Sequence, residues 1–278
     1  MQGKQYHSVH LFRRQLEPLL LKNEAAHNLF YGVLLKINET NSPIFMGLVE
    51  KENRVVMGFL QTNPAQIIVA TFSALDEQDL EAIALWLYQQ KIQVPGLIGE
   101  VETIHSLVKA YERLAKVTYE VRMRQRIYQL TEVAPLPKVN GLFRKAVEKD
   151  TPIICRWIHE FCEEIGEVIT FEEAKKEATK LMKEERVFVW EVNSQPVSMA
   201  CWTRPTKTNV TINLVFTPKE ERKKGYATAC VAHLSQHLLN QGYKSTSLYT
   251  DLANPTSNHI YQEIGYRPIL DSIYYRQA

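Results

Sequence analysis

The chain has four cysteines, Cys155, Cys162, Cys201 and Cys230, and no C-x-x-C pair. Close cysteine spacing is what zinc ribbons and dithiol redox motifs require, so neither class fits. Cys155 and Cys162 stand seven apart, on one face of a helix, which reads as buried thiols rather than a disulfide or a metal site. Long apolar runs are also missing. No segment approaches the roughly 18 residues that span a bilayer, so no membrane partner is expected. Arg13, Arg14, Lys22 and Glu24 interrupt the first thirty residues, where a signal peptide needs an unbroken apolar core, and the expected location is the cytoplasm. Charge of one sign is lacking too: 33 Lys and Arg against 31 Asp and Glu leave a net charge of +2. Nucleic-acid binders cluster their basic residues on one face. The nearest candidate, Arg122 to Arg126, alternates charge with apolar residues like the wet face of a strand, so no nucleic-acid partner is expected.

What is present suits a folded, two-part protein. A length of 278 residues with 45% hydrophobic content allows one large or two medium domains, each with a core. Leu11, Phe12, Leu16, Leu19 and Leu20 predict a helix within Val9–Leu35, with Pro18 marking a break or a helix start. Three apolar segments (44–49, 55–60, 67–71) predict a hairpin and meander, the first turn lying at 50–54. Helices are expected over 75–88 and 101–114, a brief strand at 97–99, and a strand over 117–130. Ala134-Pro135-Leu136-Pro137 then marks a linker, 131–139. Domains are therefore expected at 1–130 and 140–278.

The pattern restarts after the linker. A strand is expected over 142–147, and a helix over 151–165 opened by Asp150 and Pro152. A second helix over 171–183 has Thr170 as its cap and Glu173 at the capping-box position. Segments 187–192 and 197–202 flank Asn193-Ser194-Gln195 as a hairpin, and 210–216 is a third strand. Both halves share one order of elements, which reads as an internal duplication.

The chemistry-bearing stretch is V-F-T-P-K-E-E-R-K-K-G-Y-A-T-A, Val215 to Ala229. A strand ends at Phe216, a charged loop follows, and an apolar-periodic helix starts after Gly225. Unpaired N–H groups at a helix N-terminus suit a pyrophosphate, and Gly225 permits close backbone approach. Arg222, Lys223 and Lys224 add positive charge, and Ala227 keeps the site small. Taken alone, a basic loop with one glycine is an ordinary helix entry with solvated lysines. A second segment changes the weighting: after strand 247–250 come Asn254, Ser257, Tyr261 and Ile264-Gly265-Tyr266.

Arg222-x-x-Gly225-x-Ala227, followed by Asn254-x-x-Ser257-x-x-x-Tyr261 and Ile264-Gly265-Tyr266, resembles the two signatures of the GNAT acetyltransferase superfamily. Ser257 stands where that family commonly has Ala. The resemblance covers roughly 141–278. It implies an α/β (α+β) GNAT acyl-CoA N-acyltransferase fold, a mixed, mostly antiparallel central sheet flanked by helices, with two GNAT-like halves. It further implies acetyl-CoA as co-substrate, a small-molecule or peptide amine as acceptor, and no metal. Strand residues Asn213, Leu214, Val215, Phe216 and Thr217 would splay and pair with the pantetheine arm, an N–H near Val215 polarising the thioester carbonyl. Lys223, Lys224, Gly225, Tyr226, Ala227 and Thr228 would hold the pyrophosphate through main-chain amides. Asn254 and Ser257 would line the CoA arm, and Tyr261 would protonate the departing thiolate. A non-catalytic acyl-CoA-binding regulator and an N-acyltransferase for larger acyl groups are the rival readings.

Several residues invite other roles. His233 and His237 lie four apart on the helix, a metal-compatible spacing, but no third ligand accompanies them. Glu160, Glu163, Glu164 and Glu167 form an acidic run that reads as a solvated face able to attract an amine. Glu220, Glu221 and Asp251 fall near the expected cleft as loop charges. In the N-terminal half the counterpart loop, Thr71 to Glu77, has no glycine, no Arg or Lys, and two acidic residues. It is expected to be a degenerate copy.

Overall fold

The computed structural model describes residues 1–38 and 43–278. The N-terminal half opens with β1 (Gln2–Gln5), which nothing in the polar sequence Met1 to Gln5 announces. Helix α1 (Val9–Leu20) follows, its N-terminus capped by the Ser8 hydroxyl accepting from the Leu11 N–H. Pro18 sits inside α1 rather than at a break. The buried stripe Val9, Phe12, Leu16 and Leu20 runs past it, so packing outweighs the hydrogen bond that a proline cannot donate. The chain instead turns at Leu21–Asn23 and resumes as α2 (Asn28–Leu34), giving two helices where one stretch is expected.

The meander is β2 (Phe45–Lys51), β3 (Arg54–Asn63) and β4 (Gln66–Thr71). Glu52 and Asn53, both at positive φ (53° and 61°), form the two-residue turn whose twist matches antiparallel strands. Next come α3 (Glu77–Gln89), β5 (Gly96–Glu100), α4 (Val101–Ala115) and β6 (Tyr119–Leu130). The second half repeats this order. It runs β7 (Leu142–Lys145), α5 (Thr151–Glu164), α6 (Phe171–Lys183), β8 (Val187–Val192), β9 (Gln195–Thr203) and β10 (Asn209–Phe216). Then follow α7 (Tyr226–Asn240), β11 (Ser245–Asp251), α8 (Pro255–Ile264) and β12 (Arg267–Gln277). The β8–β9 turn again places two residues at positive φ, Asn193 and Ser194. Thr170 and Glu173 form the expected capping box on α6. Asp150 differs: its carboxylate bonds Arg144 and the Val147 N–H rather than capping α5.

Strand pairing repeats as well. In each half the first four strands run antiparallel to their neighbours, and the fifth joins the fourth in parallel: β4 with β5, and β10 with β11. The chain is compact in two units, and they are not consecutive stretches. The first comprises 1–127, 249–254 and 268–278; the second comprises 128–248 and 255–267. The last strand, β12, therefore belongs to the first unit, where Ser272 to Arg276 pair antiparallel with Glu100 to Gly96. Its Ile273 and Tyr275 join Phe59, Leu87 and Leu107 in one core, and Tyr274 packs on the other, built on Phe12, Leu16 and Phe30. Arg126 and Asp271 add a two-pronged ion pair at 2.7 and 2.8 Å.

The second unit also has a core on each side of its strands. Trp190, Leu234, Ile264 and Tyr266 mark one, and Trp157, Leu181 and Phe216 mark the other. The expected linker 131–139 lies in this unit and packs on it. Val133, Leu136 and Val139 lean on the core, and the Ala134 N–H donates to the Ile264 carbonyl.

Because β12 completes the first unit, deleting 268–278 should unfold that unit although those residues are remote from it in sequence. Hydrogen exchange checks this: the amides of Leu97 to Glu100 should lose protection, while those of β8 and β9 keep theirs.

Candidate active site

Strand β10 carries the main irregularity of the second unit. Its parallel pairing with β11 runs from Asn209↔Ser245 to Ile212↔Leu248, yet β10 continues to Phe216. Against β9 the register moves from Asn213↔Cys201 to Phe216↔Met199, so that Leu214 and Val215 on β10 stand opposite Ala200 alone on β9. The extra residue is a bulge, with Leu214 at φ 47°, a conformation a branched side chain rarely adopts. Asn213 Oδ1 is buried there without a hydrogen-bond partner among the described residues. Ser198 secures the strand end, donating to the Phe216 carbonyl and lying 2.8 Å from Thr217 Oγ1.

The loop that follows is drawn tight by Arg222. Its Nε donates to the Thr217 carbonyl at 2.8 Å, and Nη2 reaches both Glu164 carboxylate oxygens at 2.6 and 2.8 Å. The guanidinium lies 5.8 Å from the Phe216 ring. One side chain thus ties the end of β10 and the loop to the C-terminus of α5. Lys224 pairs with Glu221 at 2.9 Å, a bond that raises its pKa and keeps it charged. Of the three loop cations, two are engaged by carboxylates, and Lys223 alone makes no ion pair among the described residues. Glu164, from the acidic run, is therefore an anchor for the loop.

Lys223 and Gly225 both adopt positive φ (63° and 80°), turning the loop into α7. A Cβ on Gly225 would lie 3.2 Å from Val139 Cγ2 as well as in a left-handed backbone. No side chain caps α7, and its first hydrogen bond joins the Ala229 N–H to the Gly225 carbonyl. The N–H groups of Tyr226, Ala227 and Thr228 precede that bond and have no partner within the helix.

The counterpart in the first unit is closed. Asp76 caps α3 by accepting the Asp79 N–H at 2.8 Å, and Asp79 accepts the Asp76 N–H in return. Lys51 bonds Asp79 at 2.7 Å, which holds that carboxyl below its usual range. Two carboxylates thus occupy the place where a phosphate would sit. Gly96, which with Gln93 mimics the start of the loop motif, opens β5 instead, where a Cβ would strike the Tyr275 and Ala65 carbonyls.

Tyr261 lies on α8, 8% exposed, with its ring edge-on to Tyr266 at 6.1 Å. Burial, reinforced by Tyr266, pushes its pKa well above the ordinary phenol value, with no hydrogen bond among the causes. Tyr266 is the opposite case: its hydroxyl sits 2.9 Å from Ser235 Oγ and 2.7 Å from Thr246 Oγ1, and burial pushes its pKa up to about 12. Helix α8 is held by Tyr128, whose hydroxyl donates to Asn258 Oδ1 and accepts from Gln262. Ser257 shares this unit. Asn254 falls in the first unit, where its N–H donates to the Asp251 carbonyl. Tyr128 and Glu164 are the positioning residues that sequence reading does not single out, since a lone Tyr on a strand and a carboxylate in an acidic run carry no pattern. His233 and His237 pack on aromatic rings, His233 at 5.1 Å from Trp190 and His237 at 5.0 Å from Phe188.

Residues 152–266 match the Acetyltransferase (GNAT) family. No curated protein matches the chain in sequence. Solved structures similar to it span its whole length. A GNAT-family acetyltransferase from Colwellia psychrerythraea, 12% identical, aligns with a TM-score of 0.64 over 100% of this chain and 99% of that one. A Drosophila protein, 10% identical, gives 0.66 over 99% and 98%. A GCN5-related N-acetyltransferase from Sphaerobacter thermophilus, 13% identical, gives 0.64 over 99% and 95%. At such identities the likeness is one of fold.

The two tyrosines should respond oppositely to loss of the hydroxyl. Tyr266→Phe removes a shared hydrogen-bond partner in the core and should cost about 1–3 kcal/mol in urea unfolding, whereas Tyr261→Phe should change stability by less than about 0.5 kcal/mol.

Proposed function

We propose that this chain, whose residues 152–266 match the GNAT family, is an enzyme that transfers the acetyl group of acetyl-CoA to an amine. The observation that carries this reading is the start of α7: N–H groups left uncapped behind a left-handed glycine, beside a bulged strand. The same position in the first unit is filled by Asp76, so one site per chain is proposed.

Each residue has a role in this reading. The N–H groups of Tyr226, Ala227 and Thr228, with the turn Lys223-Lys224-Gly225, hold the pyrophosphate at the positive end of α7. Lys223 supplies unneutralised charge. Arg222 acts through Glu164 and Thr217, fixing the loop rather than meeting the phosphate. The bulged stretch Asn213 to Thr217 pairs with the pantetheine arm, and the Val215 N–H stabilises the oxyanion that forms as the amine attacks the thioester carbonyl. Asn254 and Ser257 contact the arm. As the C–S bond breaks, Tyr261 donates its proton to the thiolate; the amine's surplus proton leaves to solvent, and the tyrosinate takes one proton back from solvent, which closes the cycle. An acid in this role must be protonated at working pH, and the upward shift of Tyr261 secures that. No side chain is assigned as base: Glu221 is bound to Lys224, and Asp251 accepts from the Ala253 N–H.

Thiol release from acetyl-CoA with amino acids, polyamines, aminoglycosides and peptides as acceptors tests the activity. Release with at least one amine is expected. Binding without release would leave a regulator, and preference for long acyl-CoAs would leave a broader acyltransferase. Tyr261→Phe should lower kcat by about a hundredfold with KM for acetyl-CoA nearly unchanged. Gly225→Val should instead raise that KM by about tenfold or more, because the left-handed turn that aims the N–H groups is lost.

A further inference from the structure

The first unit contains a cavity of about 170 Å³ that the proposed transfer reaction does not use. It lies where β4 and β5 part. The two strands pair only at Ile67↔Leu97 and Ile68↔Ile98, and the cavity begins at the last of these and reaches Thr71 and Glu100 beyond it. Its position corresponds to the parting of β10 and β11 in the second unit. Entry by a phosphate-bearing arm is blocked, because Asp76 and Asp79 occupy the start of α3. What is left of the cleft is a chamber of the size that takes benzene in an engineered cavity of about 150 Å³.

The lining specifies a ligand chemistry. Phe30, Ile68, Ile98 and Leu270 provide apolar walls. Glu100 is the charged group in the lining, and no lysine or arginine accompanies it. One of its oxygens accepts from Thr103 Oγ1 at 3.1 Å, and the other makes no hydrogen bond among the described residues. His27, packed 5.3 Å from the Phe72 ring, is pushed down to about 4 by burial and is neutral at pH 7. Ser272 adds a buried hydroxyl. An anion would meet an uncompensated carboxylate here, whereas a cation would neutralise it.

We propose that this cavity in the N-terminal unit binds a small primary amine with a compact apolar body, its ammonium on Glu100 and its body against Phe30, Ile68 and Ile98. This proposal does not rest on the reading of the second unit as a transfer site.

Benzylamine, benzyl alcohol and benzoate share one shape and differ in charge, so they probe the site on the full chain by calorimetry and thermal unfolding. Benzylamine should bind and raise Tm, with the alcohol and the acid at least tenfold weaker. Glu100→Gln should weaken benzylamine by about tenfold or more while leaving benzyl alcohol unchanged. Ala26→Leu, which fills the rim from a half-exposed position, should abolish binding of both. Unliganded unfolding of each variant controls for the fold. Equal binding of amine and alcohol would overturn the proposal, as would absence of benzylamine binding. Benzylamine binding that survives both substitutions would place the amine elsewhere, in the transfer site for example, and would overturn it as well.

Discussion

The second unit is organised around a helix start that the chain itself leaves unsatisfied. The N–H groups at the beginning of α7 have no capping side chain, and leaving several aligned donors uncapped costs stability unless solvent or an anion meets them. Neighbouring features preserve this arrangement. Gly225 supplies a left-handed turn that β-branched residues rarely adopt. Val139 closes the space over its α-carbon. Arg222 draws the loop against Thr217 and Glu164, which ties the approach to α7 to the end of β10 and to α5. The bulge at Leu214 then turns the adjacent stretch of β10 out of regular pairing with β9.

The first unit shows what happens when the same position is satisfied internally. Asp76 and Asp79 cap α3 reciprocally, with Lys51 holding one carboxylate in its charged form. A helix start capped in this way has two of its amides engaged by its own carboxylates. The two halves share element order and strand pairing, and one of their differences lies at this helix terminus. That difference separates a candidate transfer site from a scaffold. The scaffold keeps the parting of its parallel strands, and with it a chamber whose lone carboxylate sets a different ligand preference.

Much of this was legible in the residues. Hydrophobic periodicity located most of the helices and strands to within a few positions, because helix and strand bury different repeats. The caps at Thr170 and Glu173 and the turn at Asn193 were visible because each depends on contacts a few residues apart. The loop Arg222 to Ala227 and the later Asn254, Ser257 and Tyr261 were visible for the same reason, being short motifs with set spacing. Strand β1 was not, since Gln2-Gly3-Lys4-Gln5, with no apolar side chain, becomes a strand only when β2 offers its edge. Pro18 misled for a related reason: a buried stripe of Phe12, Leu16 and Leu20 carries a helix through a residue that local rules would use to end it.

By itself, then, the sequence determined the elements, their repetition and the chemistry of one loop, all properties of residues near one another in the chain. Tertiary structure decided three things that depend on residues far apart. It assigned the last strand to the first unit, because the edge of β5 is completed by backbone groups nearly two hundred residues away. It joined Arg222 to the Thr217 carbonyl and to Glu164, because Glu164 sits within reach at the end of α5. And it separated Tyr261 from Tyr266, two buried phenols of similar pattern, by joining the hydroxyl of the latter to Ser235 and Thr246. Hydrogen bonds and ion pairs act over a few ångströms, so which groups they join is set by where the fold brings the chain together.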